Sequence, residues 1–321
     1  MQGFDERWSD PVDYILGITK AIWEDRGIDT LDHYYAPDIV VRSPASVVVG
    51  NQGIKAATMA TLAEFPDREL LGEDVIWCPA GKGFLSSHRL ISTATHTHPG
   101  VYGEPTGKSY AYRILADCFC EDDQVKDEWL VRDQGAIVRQ MGLEPKAFAS
   151  QLIENEGGAD HCVKPLTPKT DVKGVYQERG NQHPFGQRLA QHLTDLMDGA
   201  FHRIPSEYDR AAQLEYPNGQ RAQGHRAADN FWMSLRSAMP DAQFSIDHQI
   251  GQESSMMPPR AAVRWSLDGQ HSGWGRFGVP THARIYVMGI THVEFGPQGI
   301  RREWTLIDET AIWKQILLAT G

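Results

Sequence analysis

Two short stretches of this chain hold side chains that could move protons. In "HTHPGVYGEPTGK", His96 and His98 head a turn rich in Gly and Pro; an apolar run then leads to Trp129 and Asp133 in "DEWLVRD". Side chains four apart on a strand share a face. If that face lines a dry interior, desolvation beside the indole raises the pKa of Asp133 toward that of a general base able to take a proton α to a carbonyl. His96 or His98 would then donate to the enolate oxygen or orient the acid. Two other readings stay open: Asp133 caps the helix that "DQGAIVRQM" announces, and the histidines hydrogen-bond the Gly–Pro turn. In the second stretch, "HSGWGRFGVPTHAR", His271 stands first, and Trp304 and Asp308 follow in "REWTLID". Asp308 has the same cap alternative before "ETAIWKQIL".

A metal site needs more ligands than His96, His98 and a distant Asp117 supply, and the second stretch keeps only His271, so no metal is expected. A phosphate loop needs a helix after its glycines, whereas the residues after Lys108 are strand-like. The turn therefore reads as the rim of a pocket. Tyr14, Trp23, Tyr102, Tyr112 and Trp129 could line that pocket, as could Trp265, Trp274, His292 and Trp304 in the second half; each also fits ordinary core packing. Glu128 and Glu303 have the opposite strand parity to the tryptophans, which places them on the outer sheet face near Arg89 or Arg264.

The elements that must position these groups occur twice. Residues 50–67 match residues 224–241 at an offset of 174, and the His–Gly–Pro stretches and the Glu-Trp…Asp stretches match at 175. Three blocks in one order identify two copies of one domain, 1–153 and 182–321, joined by a Gly-, Pro- and Lys-containing linker over 154–181. In each copy helices come first. Ser9 or Asp10 caps a helix that opens at Pro11 and stops at Gly27, a short helix spans 30–35, and a third spans 50–65. Long β-type runs follow at 69–77, 84–97, 109–120 and 125–132. The expected fold is α+β: helices gathered on a curved antiparallel sheet, twice over.

The chain has 321 residues and a net charge of −11, which argues against a phosphate-backbone partner. Its apolar runs are too short to span a bilayer and its N-terminus lacks a signal-peptide pattern, so a cytoplasmic protein with reduced thiols is expected. Cys118 and Cys120 read as core or pocket lining.

The residues 95–143 resemble the core of SnoaL-like polyketide cyclases, within the nuclear-transport-factor-2-like superfamily. The resemblance rests on His98-x-Gly100, Pro105, Thr106-Gly107-Lys108, Trp129, Asp133 and Gln140-Met141-Gly142; the second copy departs from it at Thr281-His282-Ala283. It implies two cone-shaped α+β barrels. It also implies an intramolecular aldol ring closure by an Asp acid/base without metal or cofactor, at the positions of Asp133 and Asp308. Sheet-to-sheet dimers in the superfamily imply an intrachain pseudo-dimer, with a homodimer as a further possibility. The expected function is cofactor-independent acid/base chemistry on a small carbonyl metabolite: cyclisation, isomerisation or hydration/dehydration. The alternative is a module of the same fold that only binds a small molecule or a protein partner.

Overall fold

The computed structural model describes residues 1–321. In the first copy the Asp10 side chain accepts the Asp13 N–H and Pro11 opens helix α1 (Pro11–Thr19), which runs on into a π-turn over Lys20–Glu24. Helix α2 (Leu31–Tyr34) leads into β1 (Tyr35–Ser43) and β2 (Ser46–Val49), and α3 (Asn51–Glu64) crosses to the meander β3 (Glu69–Ala80), β4 (Gly83–Thr95), β5 (Ser109–Glu121) and β6 (Gln124–Arg132). Helices α4 (Gln134–Gln140) and α5 (Pro145–Asn155) close the copy. The second copy repeats the order: α6 (Pro184–Met197), α7 (Ile204–Glu207), β7 (Tyr208–Tyr216), β8 (Gln220–Gln223), α8 (Gly224–Ala238), β9 (Gln243–Ser254), β10 (Met257–Gln270), β11 (Arg284–Gly296), β12 (Gly299–Ile307) and α9 (Glu309–Thr320).

Each copy forms one six-stranded sheet, in the orders β2-β1-β6-β5-β4-β3 and β8-β7-β12-β11-β10-β9. The meanders are antiparallel, and β1 joins β6, as β7 joins β12, in parallel. The sheets are therefore mixed, and each curls around its helices into an open α+β cone rather than a closed barrel. Each cone has its own apolar interior, holding Tyr14, Phe65 and Ile114 in the first and Trp232, Trp265 and Phe231 in the second.

A third apolar cluster lies between the two sheets. Leu85, Leu115, Trp129 and Val131 of the first copy pack there against Ile250, Ala262, Met288 and Ile290 of the second. The copies thus form an intrachain pseudo-dimer, outer sheet face to outer sheet face. The contact is isologous: the Arg89 guanidinium lies 3.6 Å from the Trp304 ring centroid, and Arg264, its counterpart at offset 175, lies 4.7 Å from Trp129. Arg89 and Arg264 therefore cover the tryptophan of the opposite copy instead of pairing with Glu128 or Glu303. Between the sheets Ser87 Oγ donates to Asp117 (2.5 Å) and bonds His292 Nε2 (2.8 Å), while His248 Nδ1 bonds Asp117 (3.1 Å).

The connecting segment is a strap laid against this interface rather than a loose tether. Leu166 and Tyr176 enter the inter-sheet cluster, Tyr176 N–H donates to Asp127 (2.8 Å), and Asp171 accepts from Arg42 (2.7 Å). No helix is long and apolar enough to cross a membrane.

Candidate functional site

The first cone encloses a cavity of about 210 Å³. Its walls are mainly apolar, with Ile15 and Ile18 from α1, Trp23 behind them, and Leu90 and Ile114 from the sheet. Alternation along β6 turns Glu128, Leu130 and Arg132 into it while Trp129 and Val131 face the other copy. Glu128 is 8% exposed and its Oε2 has no hydrogen-bond partner. Burial pushes the Glu128 carboxyl up to about 7, with the neighbouring Tyr35 hydroxyl and the Arg132 charge opposing that rise.

Donors and cations share the cavity with this acid. Arg68 and His88 line the same cavity. Arg68 Nη2 donates to the Tyr112 hydroxyl (3.3 Å) and its Nε to Ser92 Oγ (3.2 Å). Burial alone would raise the Tyr112 phenol, but the Arg68 and Arg132 charges outweigh it and hold the group below its ordinary value. Burial pushes His88 down to about 4, so it is neutral near pH 7. The cavity thus combines an acid titrating near neutrality with groups suited to a developing oxyanion.

The residues singled out from the sequence fall in several places. The expectation that Trp129 and Asp133 share the cone interior is corrected. Trp129 lies on the outer face between Arg42 and Arg264, each 4.7 Å away, with His248 edge-on at 4.6 Å. Strand β6 ends at Arg132, so strand alternation does not extend to Asp133, which turns to cap α4. Its Oδ1 accepts from Ala136 N–H (3.1 Å) and Asn218 N–H (2.7 Å), and its Oδ2 from Gly219 N–H (2.8 Å). Burial pushes Asp133 up to about 6 against those three bonds, in a cleft between the copies. Asp308 caps α9 through Oδ1, from Thr310 (2.9 Å) and Ala311 (3.1 Å), and burial pushes it up to about 7.

His96 is fully buried at the Gly–Pro turn, its Nδ1 on Thr106 Oγ1 (3.2 Å) and its Nε2 3.3 Å from Glu64. Glu64 in turn accepts the N–H groups of Val101 (3.0 Å) and Tyr102 (2.9 Å), tying the turn to the end of α3. His98 is exposed and bonds only Thr97. His271 bonds Thr281 Oγ1 (3.0 Å) in the equivalent turn. Tyr14 sits in the narrow core among Phe4, Trp8 and Phe84, and Tyr102 stacks on Phe148 at 5.2 Å. Trp265 fills the second cone, with Nε1 donating to Thr291 (3.0 Å); Trp274 is 67% exposed; His292 and Trp304 belong to the interface. Among the acids and histidines offered from the sequence as catalytic, only Asp308 reaches the cavity, and of the aromatic residues offered as lining only Trp23 does. Asp133, the two histidines and Trp129 do not converge.

Glu128 is the residue that the sequence reading put on the wrong face. Both faces of β6 are covered, one by the cone core and one by the second copy, so apolar content could not mark the inside. No three His, Cys, Asp or Glu side chains gather into a set that could hold a metal ion.

The second cone is filled. Glu303, the counterpart of Glu128, is enclosed by hydroxyls: Tyr208 (2.7 Å), Tyr216 (3.2 Å) and Thr305 (2.6 Å) all donate to it. Burial raises its carboxyl, and these donors oppose that rise.

The family model of the SnoaL-like polyketide cyclases matches this chain twice, over residues 14–141 and 187–316. A search of curated proteins finds no match. Among solved structures, IdmH from Streptomyces antibioticus, described as a candidate polyketide cyclase, is 23% identical over 42% of this chain and 99% of its own, with a TM-score of 0.37. AclR from Streptomyces galilaeus, described as a candidate hydroxylase, is 22% identical over 40% of this chain and 92% of its own, with a TM-score of 0.35. A SnoaL-like polyketide cyclase from Agrobacterium tumefaciens is 19% identical over 42% of this chain and 99% of its own, with a TM-score of 0.33. With more than half of its length matched by one family model in two consecutive segments, the chain belongs to the SnoaL-like polyketide cyclase family.

Proposed function

We propose that the protein is an enzyme that transfers protons on a small carbonyl compound inside the first cone, with Glu128 as its acid/base. The observation that carries this reading is a buried carboxyl with an unpartnered oxygen, titrating near 7, in a cavity that also presents Arg132 and Arg68. In this reading the Glu128 carboxylate takes a proton from the carbon α to a carbonyl, giving a neutral acid and an enolate. Arg132, and the Arg68–Tyr112 pair behind it, stabilise the enolate oxygen. The enolate carbon can then attack a second carbonyl of the same molecule, and the new alkoxide takes the proton back from Glu128. It can instead be reprotonated elsewhere, or expel a β-hydroxyl as water with that proton. Each route returns Glu128 to its carboxylate, consumes no oxidant or reductant and needs no cofactor.

Glu128 takes this role in preference to Asp133 because three N–H bonds already hold Asp133 at the interface. A cavity of about 210 Å³ is smaller than usual drug-sized sites, which favours a compact substrate. The test is hydrogen–deuterium exchange at the methyl group of acetophenone in D₂O, followed by proton NMR. Wild-type protein should accelerate exchange, and Glu128→Gln should lower that acceleration by about 10²–10⁴-fold. Equal exchange in both proteins removes Glu128 as the base. Binding of acetophenone without any exchange favours the alternative, a binding module.

A further inference from the structure

The first cone's cavity is lined by residues of its own copy with one exception: Asp308, from the second copy. The pseudo-two-fold relation explains how it gets there. Asp133 and Asp308 occupy equivalent positions, each at the head of a helix, each facing the first β-turn of the opposite copy. The two turns differ. In the second copy, Asn218 and Gly219 adopt left-handed backbone (φ 72° and 67°) and aim two N–H groups at Asp133. In the first copy the turn is Ser43-Pro44-Ala45-Ser46, one residue shorter: Pro44 matches Pro217, no Asn-Gly pair follows it, and the Ser46 N–H turns back onto Ser43 Oγ (3.2 Å). Its two serines bond each other (3.5 Å). Asp308 receives hydrogen bonds only from its own helix, both at Oδ1 and none at Oδ2, and it lines the cavity together with Gln134 and the serine turn.

We propose that Asp308 is a substrate-binding residue of the first cone, supplied by the second copy, and that it recognises a hydroxyl group on the carbonyl compound. This deepens the reading of the first cone as the reacting site and rests on it. A buried acceptor in a mainly apolar wall selects for a ligand that can donate to it, because a ligand without a donor leaves it desolvated and unpaired. The ionisable groups of the lining balance, Arg68 and Arg132 against Glu128 and Asp308, so the cavity calls for no net charge on its ligand and a neutral donor suits it. That leaves a neutral hydroxyl, set away from the carbonyl that Glu128 and Arg132 address. The substrate class is a hydroxylated enolisable ketone or aldehyde, and the filled second copy gains a role: it completes the site of the first.

The test compares 4′-hydroxyacetophenone with acetophenone on the full chain, reading dissociation constants by NMR titration and α-proton exchange in D₂O. Wild-type protein should bind the hydroxylated probe at least tenfold more tightly. Asp308→Ser keeps a good helix cap, so the fold survives, yet it withdraws the carboxylate. In that variant the preference should shrink to about threefold or less, through a larger loss of affinity for the hydroxylated probe than for acetophenone. An unchanged preference, an equal loss for both probes, or no saturable binding of the hydroxylated probe overturns the proposal. Glu128→Gln separates the two claims. If exchange never depends on Glu128 but the hydroxyl preference depends on Asp308, the acid/base reading fails and this one stands. If exchange depends on Glu128 and the preference ignores Asp308, the reverse holds.

Discussion

The two cones share one backbone plan and differ inside. At an offset of 174, Ala57 and Thr58 of the first copy correspond to Phe231 and Trp232 of the second; at 175, Leu90 corresponds to Trp265. Ser43, the last residue of β1, corresponds to Tyr216, the last of β7. Every one of these changes adds volume in the second cone. Arg68, His88 and Arg132 correspond to Ala242, Val263 and Ile307, so the polar lining is lost as well. The same glutamate at the same strand position is thus an open acid in one copy and the centre of a closed hydroxyl cage in the other. What packs around a carboxyl, not its place in the sequence, decides whether it can do chemistry.

The largest expected effect tests that contrast directly. Glu128→Gln should cost about 10²–10⁴-fold in ketone proton exchange, whereas Glu303→Gln should leave exchange intact and lower the unfolding midpoint, because it disturbs a buried network. Loss of exchange in Glu303→Gln would reverse the roles of the cones. The interiors can also be swapped. Thr58→Trp should fill the first cavity and abolish acetophenone binding by titration. Trp232→Thr should destabilise the protein by about 3–5 kcal/mol in denaturant unfolding, since it empties a packed core. A cost under about 1 kcal/mol would show that the second cone is not well packed.

The interface makes a smaller claim. Arg89→Ala uncovers Trp304 and leaves Glu73 with Arg113 alone, so a loss of about 2 kcal/mol is expected, with a comparable loss for Arg264→Ala. Strongly unequal losses would break the isologous picture. The smallest effect concerns pH. The folded-state pKa of Glu128 lies above its unfolded value, so ionising it costs the native state stability as pH rises from about 4.5 to about 7. Glu128→Gln should therefore gain in melting temperature relative to wild type between pH 5 and pH 8. The wild-type exchange rate should rise through about pH 7 and then level off, because the base must be ionised.

Much of the fold was legible in advance. The duplication showed as three blocks at offsets of 174 and 175, and the Asp10–Pro11 helix start and the four-strand meander showed in caps and alternation. The candidate site was less legible. Placing Trp129 inside failed because the second copy covers the outer face of β6, so both faces read as apolar. Carrying strand parity on to Asp133 failed because the strand stops at Arg132. One signal was present and unused: aligning the repeats already sets Thr58 against Trp232 and Leu90 against Trp265, which marks the first copy as the one with room.

Two related α+β units, their family and the starts of their helices and strands could all be read from the order of residues. The units follow from repeated blocks and the element boundaries from periodicity and capping, which act over a few residues; the family follows from the resemblance carried by residues 95–143. Which face of β6 is inside, that the opposite copy holds Asp133, and that Asp308 lines the first cone's cavity came from the packing of the two copies. Those outcomes depend on how two sheets pack against each other, and residues brought together from opposite ends of a chain leave no spacing by which to read their contact.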